Sequence, residues 1–332
     1  MSTATTTSSL SQQTLHHAKD DPRYTSIAKR VIDAFDEENG AVHAGFRPAH
    51  AKGILLTGAF TPSGEALQLT RAPHIQRSVI SVTARFSDFA GIPAIHDNDP
   101  GASPRGFALR FHLAEHTHTD IIAHTIDGFP ARTAEEFVEF LHAVAASKTS
   151  SAKPSPIEAF LAAHPAALAF VQTPQPAPLS FARDAYFAVN AYKFTNSNGA
   201  VRYGRYRIRP EGGTAFLDAA AAAKQPEDYL FDEIRQRISR GPTKMLISVQ
   251  IAAEGDTTDD STVHWPQDRP EIAFGTVELN AVAPNNAAEQ QHIIFDPIPR
   301  VDGIEPSNDP LLAVRAETYL LSGRRRRAGA TS

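Results

Sequence analysis

Between residues 106 and 113 the sequence reads GFALRFHL, and Phe107, Leu109, Phe111 and Leu113 alternate strictly with their neighbours. That period of two is what a strand with one buried face requires. The same signal recurs along the chain. Residues 54–60 are short and apolar, 78–86 (SVISVTARF) are rich in β-branched residues, and Met245, Ile247, Val249 and Ile251 alternate again. Further strand patterns lie at 185–194, 200–209 and 275–282, the first two joined by a hairpin-type turn at Asn196–Gly199. Helical spacing interrupts the strands. Ile27, Val31, Ala34 and Phe35 share a face that ends at Asn39-Gly40, and a capping box at Thr133/Glu136 precedes a stripe of Phe137, Phe140, Leu141 and Val144. Ser155-Pro156 reads as a further helix start. Thr214 to Lys224, Pro226 to Arg240 and the stretch from Asp309-Pro310 past Tyr319 read as helices. Strand and helix do not alternate regularly, there is no GxGxxG or P-loop, and no repeat is visible. The predicted fold is α+β: an antiparallel β-barrel with helical insertions and a C-terminal helix.

Composition then narrows the function. Hydrophobic residues make 42% and charged residues 21% of 332, with a mean hydropathy of -0.28, which is globular composition. We divide the chain into a disordered tail at 1–20, a single domain at 21–326 and a short tail at 327–332. Residues 1–20 are polar, without an apolar signal region, and no run approaches the roughly 18 apolar residues of a membrane helix, so a cytoplasmic, membrane-free protein is expected. A formal net charge of -5 argues against nucleic acid as a partner. The absence of Cys excludes disulfides, zinc–thiolate sites, iron–sulfur clusters and thiol nucleophiles.

Four segments hold candidate chemistry: Arg47-Pro-Ala-His50-Ala-Lys-Gly53, Ala84-Arg85-Phe86-Ser87, Pro104-Arg105-Gly106-Phe107, and Arg315-Ala-Glu-Thr-Tyr319. On a helix Arg315 and Tyr319 share a face, and a guanidinium beside a phenol favours the phenolate, a hard anionic ligand suited to ferric iron. Tyrosine is one of the proximal ligands of haem. By spacing alone the plainer reading, a surface Arg beside a half-buried Tyr, stands first. The same holds for His50 as an ordinary structural residue, and for His142 and the His116/His118 pair as solvated side chains rather than metal ligands, because no third ligand accompanies them.

The order of the segments changes that weighting, because together they resemble the haem catalase family. Arg47–Gly53 is similar to the distal motif, Ala84–Ser87 to the V-R-F-S segment, and Pro104–Phe107 to D-P-R-G-F with Ser103 in the Asp position. Asn196–Gly199, Trp265-Pro266, Phe295-Asp296-Pro297 and Gly303–Ser307 match further motifs. Arg315…Tyr319 falls on the proximal one. The resemblance covers roughly 41–326 and is closest to the minimal members, the catalase-related peroxidases, because the chain stops just after the proximal helix. The departures are Phe46 for Glu, Glu317 for Phe, Leu321 for Asp, and His124 where the family has its catalytic Asn.

The resemblance implies haem b as cofactor and Tyr319 as the iron's axial ligand, with Arg315 holding its charge. His50 would be the distal acid–base, Ser87 its orienting partner and His124 a third catalytic residue. Arg47, Arg85 and Arg326 would face the haem propionates; Arg326 lies in the run Arg324–Arg327, which fits a solvated tail equally well. Phe129, Phe137 and Phe140 would line the distal side, although the last two also fit a plain core stripe. The activity implied is a peroxidase that reduces hydrogen peroxide or organic hydroperoxides through an oxyferryl intermediate, with an organic reductant as second partner. His124, bulkier than Asn and able to titrate near neutral pH, is the reason for preferring this to a true catalase. A non-catalytic haem carrier or sensor, or a barrel holding a small apolar ligand, is the rival from another class, and a homodimer is left open.

Overall fold

The computed structural model describes residues 22–115 and 117–329; the stretch 1–20 read as a tail, His116 and residues 330–332 lie outside them. In chain order the strands are β1 (Gly53–Pro62), β2 (Ile80–Ser87), β3 (Gly106–Ala114), β4 (Thr117–His124), β5 (Tyr186–Phe187), β6 (Tyr192–Thr195), β7 (Val201–Pro210), β8 (Thr243–Ile251), β9 (Glu271–Val282) and β10 (Ile304–Pro306). The helices are α1 (Pro22–Asn39), α2 (Ala134–Ser147), α3 (Pro156–Ala163), α4 (Pro165–Gln172), α5 (Ala219–Ala222), α6 (Tyr229–Arg240), α7 (Asn286–His292) and α8 (Pro310–Gly329). Neighbouring strands run β1–β2–β3–β4–β5–β7–β8–β9 and back to β1, all antiparallel, which closes a barrel of eight strands. Closure removes the unpaired edges an open sheet would expose. β6 and β10 extend the sheet from β7.

The alternation read from the sequence decides what fills the barrel. Val82, Ala84 and Phe86 of β2, Phe107, Leu109 and Phe111 of β3, and Ile121 and Ala123 of β4 join one buried core with Phe60, Tyr206 and Phe274. Phe60 meets Phe111 edge-on at 4.9 Å and Phe274 at 5.9 Å. Burying each such ring contributes about 1.5–3 kcal/mol. The opposite face of the same strands carries Arg85 and Ser87, Gly106 and Ala108, and Ile122 and His124. Here α1, α2 and α8 cover it, burying a second cluster that includes Phe35, Phe137, Leu141, Leu311 and Val314. The functional residues lie between these two layers.

Several expectations shift in detail. The pattern at 185–194 splits into β5 and β6, because residues 188–191 leave the ladder and deliver buried Asn190 to α8, where its amide donates to Asp309 at 2.7 Å. The helix expected over 214–224 shrinks to α5. Ala215 and Leu217 donate their backbone N–H groups to Arg183 and Ala177 instead, and the Asp218 carboxylate caps the short helix by accepting from Ala221 N at 2.7 Å. At α2, Thr133 accepts from Glu136 N, but the Glu136 carboxylate reaches Arg132 N rather than the cap residue, so the box is displaced by one position. The full reciprocal box forms at Ser155/Glu158, at the head of α3. α8 continues through residues 327–329, which were read as tail. Among the described residues no helix is long and apolar enough to cross a membrane.

Candidate active site

His50 stands where the chain turns toward β1, and it is the one non-glycine described residue with positive φ, at 58°. Its backbone is pinned on both sides: the N–H donates to Phe89 O at 2.5 Å, and the carbonyl accepts from Arg85 Nη2 at 2.9 Å. The ring lies edge-on to Phe89 at 5.4 Å and its Nδ1 is 3.1 Å from Ser87 Oγ. Burial, then the charge of Arg85, pushes the imidazole down to about 3, so His50 is neutral and able to accept a proton. Gly106 of β3 makes the arrangement possible, because a Cβ there would come within 2.6 Å of Ser87 Oγ and 2.8 Å of His50 Nδ1. Gly106→Ala is therefore expected to displace His50. Overpacking costs about 1–3 kcal/mol, while a shift of about 1 Å in a reacting group costs on the order of 10²-fold in rate. Thermal melts and turnover of the variant check both numbers.

His124 ends β4 on the same face, and its Nδ1 accepts from Ile126 N at 3.3 Å. Burial, then Arg315, lowers it to about 3. The expectation that it titrates near neutral pH is thus corrected: a dry site keeps the imidazole uncharged, with Nδ1 as acceptor and Nε2 left to carry the hydrogen.

Arg47, Arg85 and Arg326 come together although they lie far apart in sequence. Arg47 and Arg326 both donate to the carbonyl of Ile293, at 3.1 and 2.7 Å, and Arg326 also reaches Gln291 O. Arg85 donates to Gln290 Oε1 and to the carbonyls of His50 and Ala51. Among the described residues none of the three has a carboxylate within ion-pair distance. Burial, followed by neighbouring guanidinium charge, lowers all of them: Arg47 far down, Arg85 to about 9 and Arg326 to about 10. In the basic run, Arg326 is buried, Arg325 pairs with Asp36 and Arg324 is exposed, so position 326 is not part of a solvated tail. Buried like charges without an anion form a site for one. We expect Arg47→Met to raise the melting temperature of the ligand-free chain and to weaken a dicarboxylate ligand at least about tenfold, since one charged hydrogen bond contributes about 1.5–3 kcal/mol. Calorimetry and ligand titration check this.

α8 builds the opposite wall. Asp309 caps its start, accepting from Leu311 N at 2.9 Å, and holds Asn190, whose Oδ1 accepts from Arg315 Nη1. Arg315 Nη2 donates to Tyr319 Oη at 3.1 Å. Burial works against charge on Arg315, but the phenols of Tyr319 and Tyr192 more than offset it, and the guanidinium is held above its usual value. Glu317, in the family's Phe position, is buried and accepts from Thr25 of α1 at 3.2 Å, while Phe46 is exposed.

Between the walls lies a cavity of about 760 Å³, and all ten predicted site residues line it. Phe129 and Phe137 meet at 4.8 Å along one side, and Phe137 stacks on Phe140 at 6.2 Å. Sequence reasoning missed Phe89, Phe170 and Asn190, which also line it, and singled out Gly106 only as part of a motif. The donor set suits haem. Three guanidiniums without a carboxylate partner among the described residues line the cavity and would suit the carboxylates of such a group, one phenol oxygen held by an arginine offers a hard ligand, and the remainder is largely apolar. Elsewhere the described residues contain no group of three His, Cys, Asp or Glu able to hold a metal ion, and His142 instead contacts Glu37 at 2.7 Å.

Comparison with known proteins agrees with this geometry. The family model described as Catalase matches residues 34–331. A catalase-related peroxidase from Mycolicibacterium paratuberculosis is 33% identical over 296 residues, 88% of this chain and 92% of the relative. One from Synechococcus elongatus is 32% identical over 305 residues, 90% and 88% respectively. Among solved structures, a fungal catalase superposes with a TM-score of 0.76 at 22% identity, and catalase A from Saccharomyces cerevisiae with 0.75 at 23%, each covering 86% of this chain. The chain spans 60% and 62% of the lengths of those two structures. A match that runs from within α1 to the end of α8, over a closed barrel bearing both the distal and the proximal motif, makes this chain a member of the catalase family.

Proposed function

We propose that the chain is a haem-dependent peroxidase that reduces hydrogen peroxide or organic hydroperoxides at the expense of an organic electron donor. The observation that carries this is the facing of the His50–Ser87 wall and the Arg315–Tyr319 wall across one cavity. Tyr319 would be the axial ligand, Arg315 would stabilise its oxygen, and Arg47, Arg85 and Arg326 would hold the propionates. With no Cys in the sequence there is no thioether attachment, which favours haem b. When bound, the haem iron supplies the redox chemistry that cleaves the O–O bond.

The protein's own share is proton movement and positioning. His50, kept neutral by burial, takes the proton from one peroxide oxygen and returns it to the other, which departs as water or alcohol. Ser87 fixes the ring so that Nε2 faces the cavity. His124 offers an N–H donor beside it but, unlike an Asn amide, a single one on a bulkier ring. Phe129 and Phe137 keep water away from the reacting oxygens.

A second reading, disproportionation of hydrogen peroxide, needs a second peroxide held over the haem. Poor alignment there of about 1 Å costs on the order of 10²-fold. Donor oxidation is therefore expected to outrun oxygen evolution, and His124→Asn to raise oxygen evolution. Both rates are to be measured on one preparation that shows a high-spin ferric Soret band. Oxygen evolution dominating in the parent, with no gain in His124→Asn, overturns the assignment; a preparation that takes up no haem overturns the cofactor.

A further inference from the structure

The predicted site residues form only part of the cavity wall. A further stretch runs away from His50 between α1 and α2, and the reaction above leaves it without a task. From α2 the wall is built by Phe137, Phe140, Leu141, Val144 and Lys148, spaced so that they share one face of the helix. Val31, Phe35 and Glu38 of α1 line it at matching spacing. Rings join this corridor to the distal wall: His50 lies 5.4 Å from Phe89, Phe89 lies 6.1 Å from Phe35, and Phe35 lies 5.6 Å from Phe137. At the helical rise the α2 stripe is about 16 Å long. Burial falls along it, from buried Phe137, Phe140 and Leu141 through half-buried Val144 to exposed Lys148. The stripe is apolar until this last step, where Lys148 Nζ donates to Glu38 Oε1 at 2.9 Å and also to the Glu38 carbonyl.

The two helices have other ties. Phe35 and Phe137 belong to one buried cluster, and Glu37 contacts His142 at 2.7 Å without lining the cavity. What the Glu38–Lys148 pair adds is a bridge from one helix to the other across the outer end of the corridor. The remaining exposed residues of the cavity wall, His96, Asp99 and Gly101, belong to the loop before β3 and are polar or small.

Hydrogen peroxide is small and polar and has no apolar body to bury among phenylalanines. An alkyl or aryl hydroperoxide has one, and burying it is favourable. It must also bring its O–O group to His50, whereas an electron donor acting at the edge of the cofactor need not pass that way. We propose that the corridor between α1 and α2 admits and seats the apolar body of an organic hydroperoxide, and that the Glu38–Lys148 pair is the gate that sets its uptake relative to hydrogen peroxide. The substrate half rests on the peroxidase reading. An ion pair at the surface is weak, so this gate opens unaided, and it lowers uptake by the fraction of time it stands shut.

Lys148→Ala removes the gate and leaves the corridor. The ratio of kcat/KM for cumene hydroperoxide to that for hydrogen peroxide is expected to rise about two- to fivefold. The parent's ratio is expected to climb toward the variant's as salt screens the pair, while the variant's stays level. Glu38→Lys/Lys148→Glu, which restores the pair with its charges exchanged, is expected to return the ratio to the parent's. Equal ratios in the parent and Lys148→Ala, or an exchanged pair that behaves like Lys148→Ala, overturn the gate. Val144→Trp fills the corridor at a half-buried position and is expected to lower the ratio about tenfold, within the range that overpacking costs. An unchanged ratio there overturns the corridor as the route. In the haem-free proteins, the uptake rate of the neutral fluorescent probe N-phenyl-1-naphthylamine is expected to rise in Lys148→Ala and to fall in Val144→Trp. Rates equal to the parent's in both overturn corridor and gate together. Probe rates that shift as expected in a chain that turns over neither peroxide overturn the peroxidase reading and the substrate with it, while corridor and gate stand.

Discussion

Tyr319→Phe is expected to purify folded and almost free of haem. The substitution removes one oxygen from a ring already seated on α8 facing the cavity, so packing is nearly unchanged and the fold is expected to melt within about 1.5 kcal/mol of the parent, as volume-conserving swaps do. What is lost is the axial ligand. Losing an outer-shell partner of a metal ligand costs about 10–100-fold in metal affinity, and loss of the ligand itself is expected to exceed that. With no Cys and 2 Met in the chain, soft substitutes are scarce, and His50 belongs to the other wall. The measurement is haem per chain by Soret absorbance, with affinity from haem titration. A variant with the parent's ferric spectrum and affinity would remove Tyr319 from the site.

His50→Ala is expected to keep its haem and lose its turnover. The side chain is not part of the arginine cluster or the α8 wall, so cofactor retention stays near the parent's. Peroxide cleavage loses its proton carrier, and a positioned acid–base contributes about 10²–10⁴-fold. The pH profile gives a second reading. A free imidazole becomes protonated near 6.5, but burial and Arg85 hold His50 down to about 3. The base form therefore persists on acidification, and the parent's rate is expected to show no loss on passing pH 6.5 that His50→Ala abolishes. Such a limb near pH 6.5 would place His50 in water rather than in a dry site.

The barrel was legible because period-two alternation needs only neighbours in the chain: Phe107, Leu109 and Phe111 announce their own face. The ordered motifs led to ten residues that the structure places around one cavity. The split of 185–194 was not legible, because its cause is Asn190 bonding to Asp309, 119 residues away. Arg326 could not be told from its neighbours in RRRR, since its burial depends on the carbonyls of Gln291 and Ile293. His124 looked like a titrating group because a sequence carries no dielectric.

The left-handed backbone of His50 sets selection for durability against selection for work. A side chain with a Cβ costs about 1–2 kcal/mol in that conformation, which glycine, and to a lesser degree asparagine, adopts with less strain. A screen that rewards only survival of heating would therefore tend to recover Gly or Asn at position 50 and enrich inert proteins. A screen that rewards only peroxide consumption would restore histidine and accept a softer fold. Thermal hardening of this scaffold thus calls for substitutions elsewhere, in the barrel interior or the exposed turns, with position 50 held out of the library.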